Sequence, residues 1–207
     1  MLKNEKITKK NNSIECKIIL LGKNNVGKTS LILQYSSNIF QEELASTIGA
    51  EYISKDLFFN DQKLTLNIWD TSGQERYRSL SKIYFKNSHI IILVYDITSK
   101  ESFNDIINFW YNYVTENLGN NLIFAIVANK SDLYLNEQVS HEEGENYAKK
   151  INAFYFETSA KNNEGINEMF SLVGKTFLDN YNKQIIKSIK KSYTLEKDKV
   201  IKKKNCC

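Results

Sequence analysis

The stretch Gly22-Lys23-Asn24-Asn25-Val26-Gly27-Lys28-Thr29 sets four residues between two glycines, then adds a lysine and a threonine without a gap. Backbone N–H groups of such a loop can cradle a di- or triphosphate, while the Lys28 ammonium reaches the β- and γ-phosphates and the Thr29 hydroxyl holds Mg²⁺. Asn25, Val26, Gly27, Lys28, Thr29 and Ser30 are therefore the candidate phosphate-binding residues. The apolar run 18–21 before the loop reads as a buried strand, and 30–35 after it as the first turns of a helix. The positive end of that helix adds to the attraction for phosphate. A chance Gly/Lys turn is the competing reading. With 8 glycines in 207 residues, a coincidental match is roughly a one-in-two-hundred event before the strand and helix are counted.

Two further clusters suit the same ligand. Asp70-Thr71-Ser72-Gly73-Gln74-Glu75 follows the strand-like run 64–69. Asp70 there is placed to hold Mg²⁺ through its water shell, Gly73 can donate a backbone N–H to a γ-phosphate, and Gln74 can orient an attacking water. Lys28, Gly73 and Gln74 are the candidate catalytic groups; Thr29 and Asp70 are candidate metal ligands. Asn129-Lys130-Ser131-Asp132 follows the apolar run 122–128. The Asp132 carboxylate can accept two parallel hydrogen bonds from the N1–H and 2-amino groups of guanine. Adenine offers no such pair and would leave a buried carboxylate unpaired. Ser159-Ala160-Lys161 would supply a backbone N–H to the guanine oxygen and buttress the same pocket. Each motif alone is common in polar loops; four of them in order, each at the end of a strand, are not.

Apolar runs alternate with amphipathic segments, the pattern of an α/β domain whose mostly parallel sheet is covered on both faces. Strands are expected over 15–21, 51–59, 63–69, 89–96, 122–128 and 153–157, and helices over 27–37, 74–85, 102–117, 140–151 and 165–181. The turn Phe59-Asn60-Asp61-Gln62-Lys63 makes strands two and three a hairpin, so strand two is an antiparallel edge. The expected fold is a six-stranded, mostly parallel sheet with one antiparallel edge strand, flanked by five helices. Residues 1–13 read as a flexible basic extension, 14–181 as the domain, and 182–207 as a flexible basic tail.

The net charge of +4 hides an asymmetry. Residues 182–207 hold nine Lys against two acids and residues 1–12 four Lys against one acid, which leaves 13–181 at −6. An acidic body argues against a nucleic-acid binder, and basic tails suit an anionic surface. The longest apolar stretch, 90–95, is far too short to span a bilayer, and 1–12 has no apolar core of a signal peptide, so a cytosolic chain is expected. Of three cysteines, Cys16 falls in a strand and reads as an inert core thiol. His89 and His141 read as a strand-start and a helix-surface residue, with no metal or nucleophilic role.

These motifs resemble the Ras superfamily of small GTPases, and within it the Rab family, over residues 14–181. Thr47-Ile48-Gly49-Ala50-Glu51-Tyr52 looks like the Rab switch I signature and Glu75-Arg76-Tyr77-Arg78-Ser79-Leu80 like the segment after the catalytic Gln. Leu93-Val94-Tyr95-Asp96-Ile97-Thr98 and, more loosely, Tyr84-Phe85-Lys86-Asn87-Ser88 also match. The resemblance implies a small G domain of the P-loop NTPase class that binds GTP or GDP with Mg²⁺. It implies that Thr47 completes the Mg²⁺ shell when GTP is bound, that Phe40 packs on the guanine edge, and that switches I (40–52) and II (72–85) order around the γ-phosphate. Ile48, Trp69 and Tyr84 resemble the patch that effectors read, with plain core packing as the rival explanation for Trp69. The ending Asn205-Cys206-Cys207 resembles the double-cysteine terminus of Rabs. That implies geranylgeranylation of Cys206 and Cys207 by a geranylgeranyl transferase with a Rab escort protein, and masking of the lipids by GDI.

The function so implied is a monomeric GDP/GTP switch with an exchange factor (GEF) and an activating protein (GAP), recruiting effectors in vesicle traffic on the cytoplasmic face of an endosomal or Golgi/secretory membrane. Ala50, the run 157–161 and Asn167-Glu168-Met169-Phe170 look somewhat endosomal. The match departs at Lys23, where Rabs often carry an acid, at Asn24, where many have Ser, and at Ser72, where Ala is usual. These departures bear on hydrolysis and exchange rather than on binding. A GTP-binding membrane scaffold with little or no hydrolysis is the alternative they suggest; a P-loop kinase or ATPase is disfavoured by the 129–132 motif.

Overall fold

The structure is a computed structural model that describes residues 14–42, 50–71, 84–119 and 122–204. Six strands, β1 (Ile14–Leu21), β2 (Ala50–Phe59), β3 (Gln62–Thr71), β4 (Ile90–Asp96), β5 (Ile123–Asn129) and β6 (Phe154–Thr158), form one sheet in the order β2-β3-β1-β4-β5-β6. All neighbours are parallel except β2 and β3, the antiparallel hairpin expected from the turn at 60–61. Around the sheet lie α1 (Lys28–Ser37), α2 (Lys100–Asp105), α3 (Tyr111–Leu118), α4 (His141–Lys150) and α5 (Ile166–Lys204).

Alternation along the central strands explains the layers. Side chains of a strand point to opposite faces in turn. Ile18 and Leu20 therefore join Leu31, Ile32 and Tyr35 of α1 and Met169, Phe170 and Val173 of α5. Ile19 and Leu21 meet Phe103, Ile106, Trp110 and Val114 on the other face, together with Ala148 of α4. A strand buried on both faces must be apolar at every position, as β4 is from Ile90 to Tyr95.

Three differences from expectation have local causes. The helix expected over 102–117 starts at Lys100 because Ser99 caps it, accepting from the Ser102 backbone N–H. Its middle, Ile106–Trp110, is a π-helical segment joining α2 to α3. The last helix does not end at 181. Neither Gly nor Pro occurs between residues 175 and 204, so nothing in the backbone stops it and α5 continues to Lys204. The helix expected over 74–85 lies outside the described residues save for Tyr84 and Phe85, which are helical.

Candidate functional site

A sheet whose order reverses about β1 opens a crevice at the carboxyl ends of its strands. Every described nucleotide and metal candidate gathers there. The loop after β1 turns tightly enough to require glycine at two points. Gly22 has φ +146° and a Cβ on it would lie 2.1 Å from the Val94 carbonyl oxygen; Gly27 has φ +93° and a Cβ would lie 2.3 Å from Asn129 Nδ2. The loop then wraps around Lys28, whose Nζ donates to the carbonyls of Gly22 and Lys23, both at 2.9 Å.

Lys28 is only 5% exposed. Burial drives its ammonium down to about 8, against the opposing pull of Asp70 and Asp105. A cation held at that cost is stabilised by any anion set into the loop. Beside it, the Thr29 hydroxyl donates to Asp70 Oδ2 at 2.6 Å, and Asp70 is 2% exposed. Thr71 fixes the end of β3 against β1 by donating to the Leu20 carbonyl at 2.6 Å. A hydroxyl and a buried carboxylate side by side are the hard oxygen donors that Mg²⁺ prefers.

The other end of the crevice is built around Asn129, the last residue of β5. Its Nδ2 donates to the Val26 carbonyl at 2.8 Å, and its Oδ1 accepts from Thr158 Oγ1 at 3.1 Å. One buried amide thus ties the phosphate loop, β5 and β6 together. Asp132 accepts at Oδ1 from Ser159 Oγ at 2.6 Å, and Ser159 Oγ also takes the Asn162 N–H at 3.0 Å. Lys130 sits at φ +65° and reaches Asp96 Oδ2 at 2.6 Å. That pair stretches the aliphatic stem of Lys130 along the crevice.

Between the two ends lies a cavity of ≈ 370 Å³, lined by Asn25, Gly27, Lys28, Thr29, Ser30, Phe40, Asn129, Lys130, Asp132, Ala160 and Lys161 among the sequence candidates. Val26, Asp70 and Ser159 stand behind this lining as supports. Asn24 also faces the cavity. Leu133, Thr71, Gln41 and Glu42 complete the lining and were not expected. Leu133 could have been read from its place directly after Asp132; it lines the same cavity as Phe40. Asp96 and Thr158 lie within the matching runs 93–98 and 157–161, but nothing in those runs marks the pairings with Lys130 and Asn129, which depend on strands far away in sequence. Thr47, Ile48, Gly73, Gln74, Cys206 and Cys207 lie outside the described residues.

On the sheet face that carries Ile19 and Leu21, Trp69 and Tyr84 are partly buried against the core, as the core-packing explanation for Trp69 expects; Tyr52 stands 5.2 Å from Trp69 and Trp69 5.6 Å from Tyr84, ring to ring, with Lys17 Nζ 4.9 Å from the Trp69 ring. Tyr52, the last residue of the switch I signature, thus joins Trp69 and Tyr84 in one aromatic row.

Fold and crevice together define a small G domain: a phosphate loop at one end, a base slot with a buttressed carboxylate at the other. A model of the Ras family matches residues 17–179. The chain is 40% identical over 185 residues to Ras-related protein RabJ of Dictyostelium discoideum, covering 89% of this chain and 72% of that protein. Over 154 residues it is 44% identical to Ras-related protein Rab-21 of Homo sapiens, covering 74% of this chain and 68% of that protein. A Rab-21 of the sponge Geodia cydonium is 39% identical over 167 residues, 81% of this chain and 72% of its own length. The chain belongs to the Rab family of small GTPases, within the Ras superfamily. Membership implies GTP or GDP with Mg²⁺, and the residues fit: the glycine-lined cradle admits phosphate where a Cβ would intrude, and Thr29 and Asp70 offer oxygen donors beside it.

Proposed function

We propose that this chain is a membrane-bound GDP/GTP switch that hydrolyses GTP slowly by itself and recruits effectors in vesicle transport while GTP is bound. The observation that carries the proposal is the Asn129 linkage, which sets a carboxylate suited to guanine at a fixed distance from a loop suited to phosphate. Asp132 would take the N1–H and 2-amino groups of guanine, Ala160 would supply a backbone N–H to its oxygen, and Phe40 and Lys130 would flank the ring. Lys28 would hold the β- and γ-phosphates, with loop N–H groups from Asn25 to Ser30. Thr29, Asp70 and, in the GTP form, Thr47 would hold Mg²⁺, which when bound neutralises charge between the phosphates.

For hydrolysis, Gln74 would orient water in line with the γ-phosphate and the Gly73 N–H would stabilise the charge that develops. The chain's only arginines are Arg76 and Arg78, so fast turnover would require a GAP to supply one. Ile48, Trp69 and Tyr84, joined by Tyr52, would form the effector surface. Geranylgeranyl groups on Cys206 and Cys207 would anchor the chain to the cytoplasmic face of an endosomal or Golgi/secretory membrane, with GDI carrying it through the cytosol. Asn24, facing the cavity, favours one other reading: a GTP-binding scaffold in which that side chain crowds the water-orienting Gln74.

Single-turnover hydrolysis of preloaded GTP, with Gln74→Leu alongside, separates the two. The switch predicts slow hydrolysis that falls by about tenfold or more in the variant, with GTP still held. No hydrolysis in either protein would favour the scaffold and make Asn24 and Ser72 the residues to revert.

A further inference from the structure

We infer that Lys23 and Glu101 are positioning residues for the phosphate site: the ion pair they form braces the phosphate loop on the first turn of α2 and so slows the release of nucleotide. The inference rests on the reading of that loop as a phosphate cradle and adds to it a control on how long the nucleotide stays.

Lys23 acts at two points. Its backbone carbonyl accepts from Lys28 Nζ at 2.9 Å, as the Gly22 carbonyl does, so the place of Lys23 decides where the buried ammonium points. Its side chain is not among those lining the cavity, as Asn24 and Asn25 are, and pairs instead with the Glu101 carboxylate. An acid at position 23 would meet Glu101 with like charge, so this departure from the Rab pattern is matched by its partner on α2.

The turn that carries Glu101 is itself fixed. Ser99 caps it by accepting from the Ser102 N–H, the Ser102 hydroxyl donates to the Ser99 carbonyl at 2.7 Å, and the Asp96 N–H donates to that hydroxyl at 3.1 Å. Ser102 and Phe103 are buried, so the turn cannot shift without opening the core. Lys100 is drawn the other way, to Glu143 of α4, and leaves Glu101 to the phosphate loop. Asp96, on which the turn is mounted, also holds Lys130 of the base slot at 2.6 Å. The brace therefore ends on the wall of the crevice and not on a loose segment. When the pair opens, the Lys23 carbonyl loses its anchor and Lys28 loses a fixed aim at the phosphates. The two side chains are 36% and 78% exposed, so the pair is screened by salt and should change rates by about two- to fivefold.

The test is release of fluorescent GDP from the full-length protein, chased with excess GDP in the presence of Mg²⁺ at low and at high salt. Wild type is compared with Glu101→Gln, Lys23→Glu and the swap Lys23→Glu/Glu101→Lys. The brace predicts release about two- to fivefold faster in Glu101→Gln and about tenfold faster in Lys23→Glu, where like charges push the loop from α2, with the swap close to wild type. In high salt Glu101→Gln and wild type should converge. The sign of Glu101→Gln separates a brace from simple attraction: the substitution adds net positive charge near the phosphates, which by attraction alone would slow release, whereas a lost brace speeds it. Slower or unchanged release in Glu101→Gln, or a swap no better than Lys23→Glu, would overturn the inference and leave the phosphate reading intact. A wild type that holds no GDP would overturn that reading and the inference with it.

Discussion

The two ends of the nucleotide crevice are built on opposite plans. At the base end, polar side chains have partners they can keep when a ligand arrives: Asn129 is held between Val26 and Thr158, and Asp132 is steadied on one oxygen by Ser159. At the phosphate end, charged groups lean on partners a ligand would share or replace. Lys28 donates to carbonyls of its own loop, with its ammonium destabilised by burial, and Thr29 is bonded to the carboxylate beside which a metal would sit. On the proposed reading, base choice would be set by the fold in advance, whereas phosphate affinity would come from charge that the ligand itself completes. The energetic consequence is that nucleotide should stabilise the phosphate end far more than the base end.

The largest expected effect comes from the one position that joins the two ends. Gly27→Ala puts a methyl 2.3 Å from Asn129 Nδ2 at φ +93°. Backbone strain of about 1–3 kcal/mol, with the loss of a buried hydrogen bond of similar worth, should weaken GDP by about a hundredfold or more in a fluorescent-GDP titration. Near-normal affinity would mean that the ends are not mechanically linked.

The next effect isolates the phosphate end. Lys28 in the ligand-free protein loses its proton at about 8, and phosphates would raise that value again. Below pH 8 the ammonium is already charged, so Lys28 should make no contribution to the pH dependence of affinity. Above it, binding must take up a proton, so GDP affinity should fall by up to about tenfold per pH unit. Stability of the nucleotide-free protein should move the other way. The unfolded chain binds the Lys28 proton until its ordinary value, 10.5, so folding gains between pH 8 and that value. Thermal melts of both forms across this range check the opposite signs.

The smallest effect probes how far the base end reaches. Asn163 Nδ2 donates to Asn38 Oδ1 at 3.0 Å, and Lys161 Nζ stands 3.6 Å from Glu42, so the loop after β6 touches the segment after α1. Both contacts are exposed and should be worth a few tenths to 1 kcal/mol. Asn163→Ala should speed GDP release by about two- to fivefold, measured by chase of fluorescent GDP.

Much of this was legible in the sequence because it is local. The loop 22–29 announces itself by glycine spacing, the hairpin by Asn60-Asp61, and the parallel strands by unbroken apolar runs such as 90–95. What the sequence concealed depends on contacts between distant segments. Asn129 reads as part of the base motif 129–132, but its tie to Val26 and Thr158 appears only when β6 is set beside β5, and Asp96 reads as a strand end until Lys130 folds back onto it. Tyr52 alternates with Ile53 in an edge strand and looks like any exposed aromatic; only the register that pairs it with Trp69 brings out the aromatic row. The π-helical segment at 106–110 has no glycine or proline to mark it. The run of α5 past Tyr181 was masked by composition, since a lysine-rich stretch suits a solvated coil and an amphipathic helix equally well.

The most direct test of a base slot set in advance is competition for bound fluorescent GDP by GTP, ATP and xanthosine triphosphate, on the wild type and on Asp132→Asn. The account predicts that GTP displaces GDP from the wild type and that micromolar ATP does not. It also predicts that Asp132→Asn loses guanine nucleotides by about a thousandfold and accepts xanthine, because an amide can donate to the 2-oxo group where a carboxylate cannot. Displacement by micromolar ATP, or guanine affinity unchanged by the substitution, would contradict it.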